Sequence, residues 1–119
     1  PEWYTGALVE AYGRETASAI AAACTHPAPL DLTVFNPAHA PPGLTLPTGT
    51  LRLPDSRGAV EDVPGFAEGA WQAQDAAAAL PARLFGRPLE GVRVLDACAA
   101  PGGKTAQLAA AGAAVTALD

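Results

Sequence analysis

The chain has 119 residues, 50% of them hydrophobic but only 6% aromatic, which is enough to bury one modest core built from small side chains. A net charge of −5 and scattered Lys and Arg residues exclude a simple basic nucleic-acid-binding patch. No segment has the length of a membrane span or the pattern of a signal peptide. Cys24 and Cys98 stand alone, which argues against a disulfide framework or a metal site and favours a reducing, cytoplasmic location.

The amino-terminal part combines helices with a strand. Apolar residues at helical spacing predict a helix over residues 2–12, stopped by Gly13, and a second, Ala-rich helix over 15–24. From Leu30 to Val34, apolar and polar residues alternate, which predicts a half-buried strand.

Proline and glycine interrupt the middle of the chain. They leave room for two short strands, at 44–46 and 50–53, and predict a turn-rich connection over 57–69. Trp3 and Trp71 are interpreted as packing anchors rather than as platforms for bases.

Regular structure is predicted again after Trp71. Asp75 is a suitable N-cap for a helix over residues 76–85. Pro81 lies inside that helix, where it removes a backbone donor and crowds the preceding turn, so we expect a kink or a restart there.

The last part of the chain predicts a strand–helix–strand unit. A strand over 92–97 leads through a turn at 98–102 into a helix over 103–111, and a second strand follows over 113–118. This βαβ unit is the building block of parallel α/β sheets.

The turn of that unit lies in the stretch VLDACAAPGGKT, residues Val94–Thr105. A P-loop would need a glycine where Cys98 stands, and Pro101 removes a donor that a phosphate-binding loop needs. A dinucleotide fingerprint fails as well, because Gly102 and Gly103 are adjacent.

The turn can nevertheless bind a ligand. Small residues let a ligand approach the backbone, and the start of the following helix offers unpaired N–H groups. Asp119, after the second strand, is placed to accept hydrogen bonds from ribose hydroxyls, and Asp96, at the end of the first strand, can hold a cationic amino group. The pattern indicates a nucleoside that carries an amino-acid tail.

The sequence closely resembles the Sun family of RNA (cytosine-5) methyltransferases. The heptapeptide Cys98–Lys104 matches the S-adenosylmethionine turn of that family without a change, and a Pro-Gly-Phe…Gly…Gln-Asp pattern precedes it at Pro64–Phe66, Gly69 and Gln74–Asp75. Bacterial members modify small-subunit ribosomal RNA, so the resemblance implies an RNA substrate and S-adenosylmethionine as cofactor.

The resemblance also implies the cofactor-binding residues. Asp119 would bind the ribose, Asp96 would help to orient the amino group, and the Gln74–Asp75 segment would shape the pocket. The turn would wrap the methionine portion of the cofactor through Cys98, Ala99, Ala100, Pro101, Gly102, Gly103 and Lys104. Metal ligands are not expected.

Two departures from the family pattern bear on function. Thr33 stands where the family has an arginine near RNA, and the Pro-rich run after Asn36 is too short and broken for the helix found there in the family. The two catalytic cysteines of the family lie beyond its ribose site. We therefore expect this chain to be an excerpt of a longer protein whose catalytic residues lie beyond residue 119. The chain alone should have no activity.

The predicted fold class is α/β: the start of a Rossmann-like class I methyltransferase domain, preceded by a small α+β subdomain. The expected division places the subdomain at 1–65 and the truncated cofactor-binding domain at 66–119. The acidic charge leaves an alternative open, namely a non-catalytic RNA- or cofactor-binding module derived from the same family.

Overall fold

The computed structural model describes residues 1–54 and 58–119 and shows a mixed α/β fold. Arg57, the first residue of the predicted turn-rich connection, lies outside the described residues. The α-helices and strands are, in chain order, α1 (Glu2–Cys24), β1 (Leu30–Val34), β2 (Leu44–Thr45), β3 (Leu51–Leu53), β4 (Trp71–Ala73), α2 (Ala76–Arg83), β5 (Arg93–Asp96), α3 (Gly103–Ala110) and β6 (Ala114–Ala117).

Helix α1 consists of two helical segments, as predicted. Gly13 separates them with φ +77° and ψ +161°, a conformation outside the helical region that favours glycine. Trp3 is not the packing anchor that the sequence predicts. Its surface is 75% exposed, and its ring contacts the neighbouring Tyr4 instead of the core. No helix in the described part of the chain combines the length and the apolar character needed to cross a membrane.

Four short strands form an antiparallel sheet in the order β2-β3-β1-β4. The sequence predicted the first three, but not β4, which pairs with β1 so that Thr33 lies opposite Gln72. Trp71 is a packing anchor as expected: it is 4% exposed and its indole N–H donates to the Pro64 carbonyl over 2.8 Å. Gly65 passes so close to this indole that a Cβ there would lie 2.8 Å from Trp71 Nε1.

Strand β1 is confirmed, but its burial goes beyond that of the half-buried strand which the sequence predicts. Asp31 and Thr33 are buried because other side chains satisfy their oxygens. Asp31 accepts two hydrogen bonds from Arg52, of 2.6 and 2.8 Å, and a third from the Ala76 backbone over 3.1 Å. The Arg52 hydrogen bond, helped by Ala76 and opposed by burial, holds the pKa of Asp31 below its usual value.

Helix α2 begins as predicted, with Asp75 accepting hydrogen bonds from the backbone of Ala77 and Ala78 over 2.8 and 3.2 Å. One helix runs through Pro81, so the restart that was expected there as the alternative to a kink is wrong. Packing outweighs the lost backbone bond, since the neighbouring Ala79 and Ala82 are buried. The helix ends at Arg83, two residues earlier than predicted.

The N-cap of α2 gives a testable prediction. Asp75→Ala leaves two backbone donors of the first turn without their acceptor, so we expect a loss of about 1 kcal/mol in the free energy of unfolding. Urea unfolding measures it. Asp75→Ser retains an oxygen acceptor and should recover most of the loss, whereas equal stability of Asp75→Ala and the original chain would contradict the capping role.

The strand–helix–strand unit is confirmed. Strands β5 and β6 are parallel, with Val94 opposite Val115, and α3 connects them. The core of this part of the chain is formed by four buried side chains, those of Ala82, Leu89, Val94 and Leu108. Because α2 contacts both β1 and α3, it joins the antiparallel sheet to the parallel pair.

Candidate functional site

The carboxyl ends of β5 and β6 meet at the start of α3, and the turn over residues 97–102 lies at this edge. Backbone hydrogen bonds continue past the strands: Leu118 N–H donates to the Asp96 carbonyl over 2.8 Å, and Ala99 N–H donates to the Leu118 carbonyl over 3.0 Å. The turn is therefore held against the end of β6. In open α/β sheets, ligands bind at this edge.

Asp96 supports the turn through its side chain. Its Oδ2 accepts a hydrogen bond of 2.6 Å from the Thr105 hydroxyl, and its Oδ1 accepts a longer one of 3.4 Å from the Cys98 backbone. One carboxylate thus connects the end of β5 to both the turn and the first helical turn of α3. Each oxygen retains a lone pair for a further donor.

Asp119 lies at the same turn. Its Oδ1 accepts a hydrogen bond of 3.2 Å from the Ala100 backbone, so the two carboxylates proposed from the sequence flank one short stretch of backbone. The Asp119 side chain is exposed, and no described residue donates to its Oδ2. That oxygen can accept a hydrogen bond from a ligand.

Gly102 and Gly103 shape the entry into α3. Gly102 adopts φ +100°, the left-handed region that favours glycine, and a Cβ there would point into open space. At Gly103, a Cβ would lie 3.1 Å from Gln74 Nε2, which leaves little room for a side chain. No described residue accepts a hydrogen bond from the backbone N–H groups of Gly103, Lys104 and Thr105.

The remaining predicted site residues are at the surface or contribute through backbone. The side chains of Cys98, Pro101 and Lys104 are exposed. Ala99 and Ala100 contribute their N–H groups to the contacts with Leu118 and Asp119. Within residues 1–54 and 58–119, no three His, Cys, Asp or Glu side chains cluster as metal ligands would.

One residue at the site was missed by the sequence-based prediction. Gln72, on β4, donates from Nε2 to the Gly103 carbonyl over 2.7 Å and so connects the antiparallel sheet to the first residue of α3. Gln74, which the sequence did single out, lies beside it and faces the Cα of Gly103. Only the pairing of β4 with β1 reveals these contacts.

A small hollow of about 120 Å³ adjoins the turn between α2 and β5, with Phe85, Asp96 and Lys104 in its lining. A larger apolar groove of about 510 Å³ lies elsewhere, between the two segments of α1, and is lined only by residues of that helix. The smaller hollow extends the candidate site at the turn.

The fold and the site together define an α/β protein with a candidate ligand-binding turn at the carboxyl edge of two parallel strands. Comparison with known proteins then shows which proteins this chain is similar to. The chain is 48% identical over 64 residues, 54% of its length, to the probable ribosomal RNA small subunit methyltransferase B of Synechocystis. It is 55% and 57% identical over 49 residues, 41% of its length, to the ribosomal RNA small subunit methyltransferases B of Vibrio cholerae and Pseudomonas syringae.

These relatives confirm the resemblance to the Sun family over about half of the chain. The aligned segments cover only 14% of the Synechocystis protein and 11% of each of the other two. No family model matches the chain.

Proposed function

We propose that the chain forms the amino-terminal part of the catalytic region of an S-adenosylmethionine-dependent RNA (cytosine-5) methyltransferase that acts on small-subunit ribosomal RNA. The observation that carries the proposal is the heptapeptide Cys98–Lys104, which bends between two parallel strands beside the Asp119 carboxylate. The names of the relatives support the same reaction class.

The residues at the turn fit S-adenosylmethionine. The open N–H groups at the start of α3 suit the carboxylate of an amino-acid tail, because a helix start attracts negative charge. The free oxygen of Asp119 suits a ribose hydroxyl, and Asp96 suits an ammonium group. When bound, the cofactor supplies an electrophilic methyl group.

The role of this chain in the reaction is to position the cofactor. The turn is fixed at both ends, by Asp96 to α3 and by Leu118 to β6, so a bound nucleoside keeps one orientation towards the target base. Carbon 5 of cytosine is a weak nucleophile that a thiolate adding to carbon 6 would activate. We place that thiolate on a cysteine beyond residue 119, in the cytoplasmic full-length enzyme, and expect this chain alone to be inactive.

Incubation of the complete protein with small-subunit ribosomal RNA and methyl-labelled S-adenosylmethionine tests this function. We expect one labelled cytosine, carrying the methyl group on carbon 5 by mass spectrometry, and loss of labelling in the Asp119→Ala variant. Methylation of another base or atom would contradict the assignment.

A second candidate is a non-catalytic RNA- or cofactor-binding module. The net charge of −5 favours its cofactor-binding form over an enzyme that binds RNA through this region, because an acidic chain repels the phosphates of RNA. The methylation assay distinguishes the module from the enzyme. The module would bind S-adenosylmethionine or RNA in the complete protein without transferring the methyl group.

Cys98 gives a prediction for the role of the turn. Its thiol is exposed and its contact with Asp96 is made by the backbone, so Cys98→Ser should leave both cofactor affinity and methyl transfer in the complete enzyme close to their original values. Radiometric methylation measures this. Loss of transfer with intact cofactor binding would instead identify Cys98 as the nucleophile.

A further inference from the structure

We propose that Gln72 is a positioning residue for the cofactor turn, holding the start of α3 in place from the antiparallel sheet. The inference rests on the proposed function, because it assigns to Gln72 the geometry of the turn that binds S-adenosylmethionine. Gln72 and Gly103 are 31 positions apart in the chain, so their contact depends on the fold and belongs to no local motif.

The position of Gln72 is itself fixed by the sheet. Its Nε2 donates to Gln74 Oε1 over 3.1 Å, and the buried Thr33 hydroxyl donates to the same oxygen over 2.7 Å. Thr33 is 2% exposed and lies opposite Gln72 in the pairing of β1 with β4. Because two donors converge on Gln74 Oε1, both glutamine amides have a defined orientation.

The second hydrogen of the Gln72 amide reaches the turn. Nε2 donates to the Gly103 carbonyl over 2.7 Å, and a Cβ at Gly103 would lie 3.1 Å from the Gln74 amide nitrogen. The side chains of the sheet therefore support α3 at its first residue. Among the described residues, this is the side-chain hydrogen bond that joins the antiparallel sheet to α3.

The contact bears on ligand binding because the open N–H groups belong to the same helical turn. Gly103, Lys104 and Thr105 form the first turn of α3, so we expect their N–H groups to shift together if the Gly103 carbonyl loses the Gln72 donor. Binding sites depend on supporting contacts that hold the ligand-binding groups in place to within about 0.5 Å. Gln72 supplies such a contact from the antiparallel sheet.

The test compares Gln72→Met with the original residue in the complete protein. Methionine keeps the length of the side chain and removes its donors. We expect the dissociation constant for S-adenosylmethionine, measured by calorimetry, to rise roughly tenfold, because the Gly103 carbonyl loses a hydrogen bond. The affinity for RNA should remain close to its original value.

Thr45→Met is the matched control, since Thr45 is exposed on β2 at the opposite edge of the same sheet. It should leave the cofactor affinity unchanged. An unchanged cofactor affinity in Gln72→Met, or a weaker cofactor affinity accompanied by an equal weakening towards RNA, would overturn the positioning role.

A separate readout keeps this inference distinct from the proposed function. If the original protein does not bind S-adenosylmethionine, the proposed function fails. Hydrogen exchange at Ala106, whose N–H donates to the Gly102 carbonyl at the start of α3, then decides whether Gln72 holds the turn. Faster exchange in Gln72→Met supports the contact, and unchanged exchange refutes it.

Discussion

Gly103→Val is expected to weaken the affinity of the complete protein for S-adenosylmethionine by roughly 10- to 100-fold, the range that corresponds to overpacking a tight contact. A Cβ at Gly103 would already lie 3.1 Å from Gln74 Nε2, and the two further methyl groups of valine enlarge the conflict. Because Thr33 and Gln72 hold the Gln74 amide through hydrogen bonds, we expect the start of α3 to move away from it, which displaces the open N–H groups of the first turn. Calorimetric titration measures the loss.

Gly6→Val is the matched control for this prediction. Gly6 is also a helical glycine, but a Cβ there meets no atom within 4 Å, so the same substitution should leave cofactor affinity unchanged. Cofactor binding by Gly103→Val at the original affinity would show that the start of α3 is not part of the site.

Asp31→Asn is expected to lower the free energy of unfolding by about 2 kcal/mol, because it removes a buried charge that accepts three hydrogen bonds. Arg52 loses its partner but is 34% exposed, so water can solvate it and the cost stays below that of a fully buried pair. Urea unfolding followed by the fluorescence of the buried Trp71 measures the effect. Asp62→Asn, at an exposed position, should have little effect.

The same carboxylate predicts a dependence on pH. The pKa of Asp31 is lower in the folded chain than the value of about 3.9 expected in the unfolded chain. Its contribution to stability is therefore present above the unfolded pKa and is lost as the pH falls through the folded pKa. The difference in stability between the original chain and Asp31→Asn should shrink over this acid range. A constant difference would contradict the lowered pKa.

Local patterns in the sequence were sufficient to predict the βαβ unit. Apolar runs bounded by glycine identify β5, α3 and β6, and the Asp75 cap identifies the start of α2. Each of these signals acts over a few residues. The bounds of β5 and β6 differ from the prediction by one residue at each end, where the backbone pairing ends.

Long-range contacts account for the errors. The three residues of β4 form a strand only because β1 offers a partner, and Asp31 can be buried only because Arg52, 21 positions away, neutralises it. The continuity of α2 through Pro81 depends on packing that the local sequence does not encode. The link from Gln72 to Gly103 belongs to the same class, since it spans 31 positions.

The most direct test of the account is a crystal structure of the complete protein with S-adenosylhomocysteine. We predict the amino-acid tail of this ligand at the start of α3, between Asp96 and Gly103, and its ribose hydroxyls on the Asp119 carboxylate. A ligand bound elsewhere, with the turn over 97–102 empty, would contradict the account.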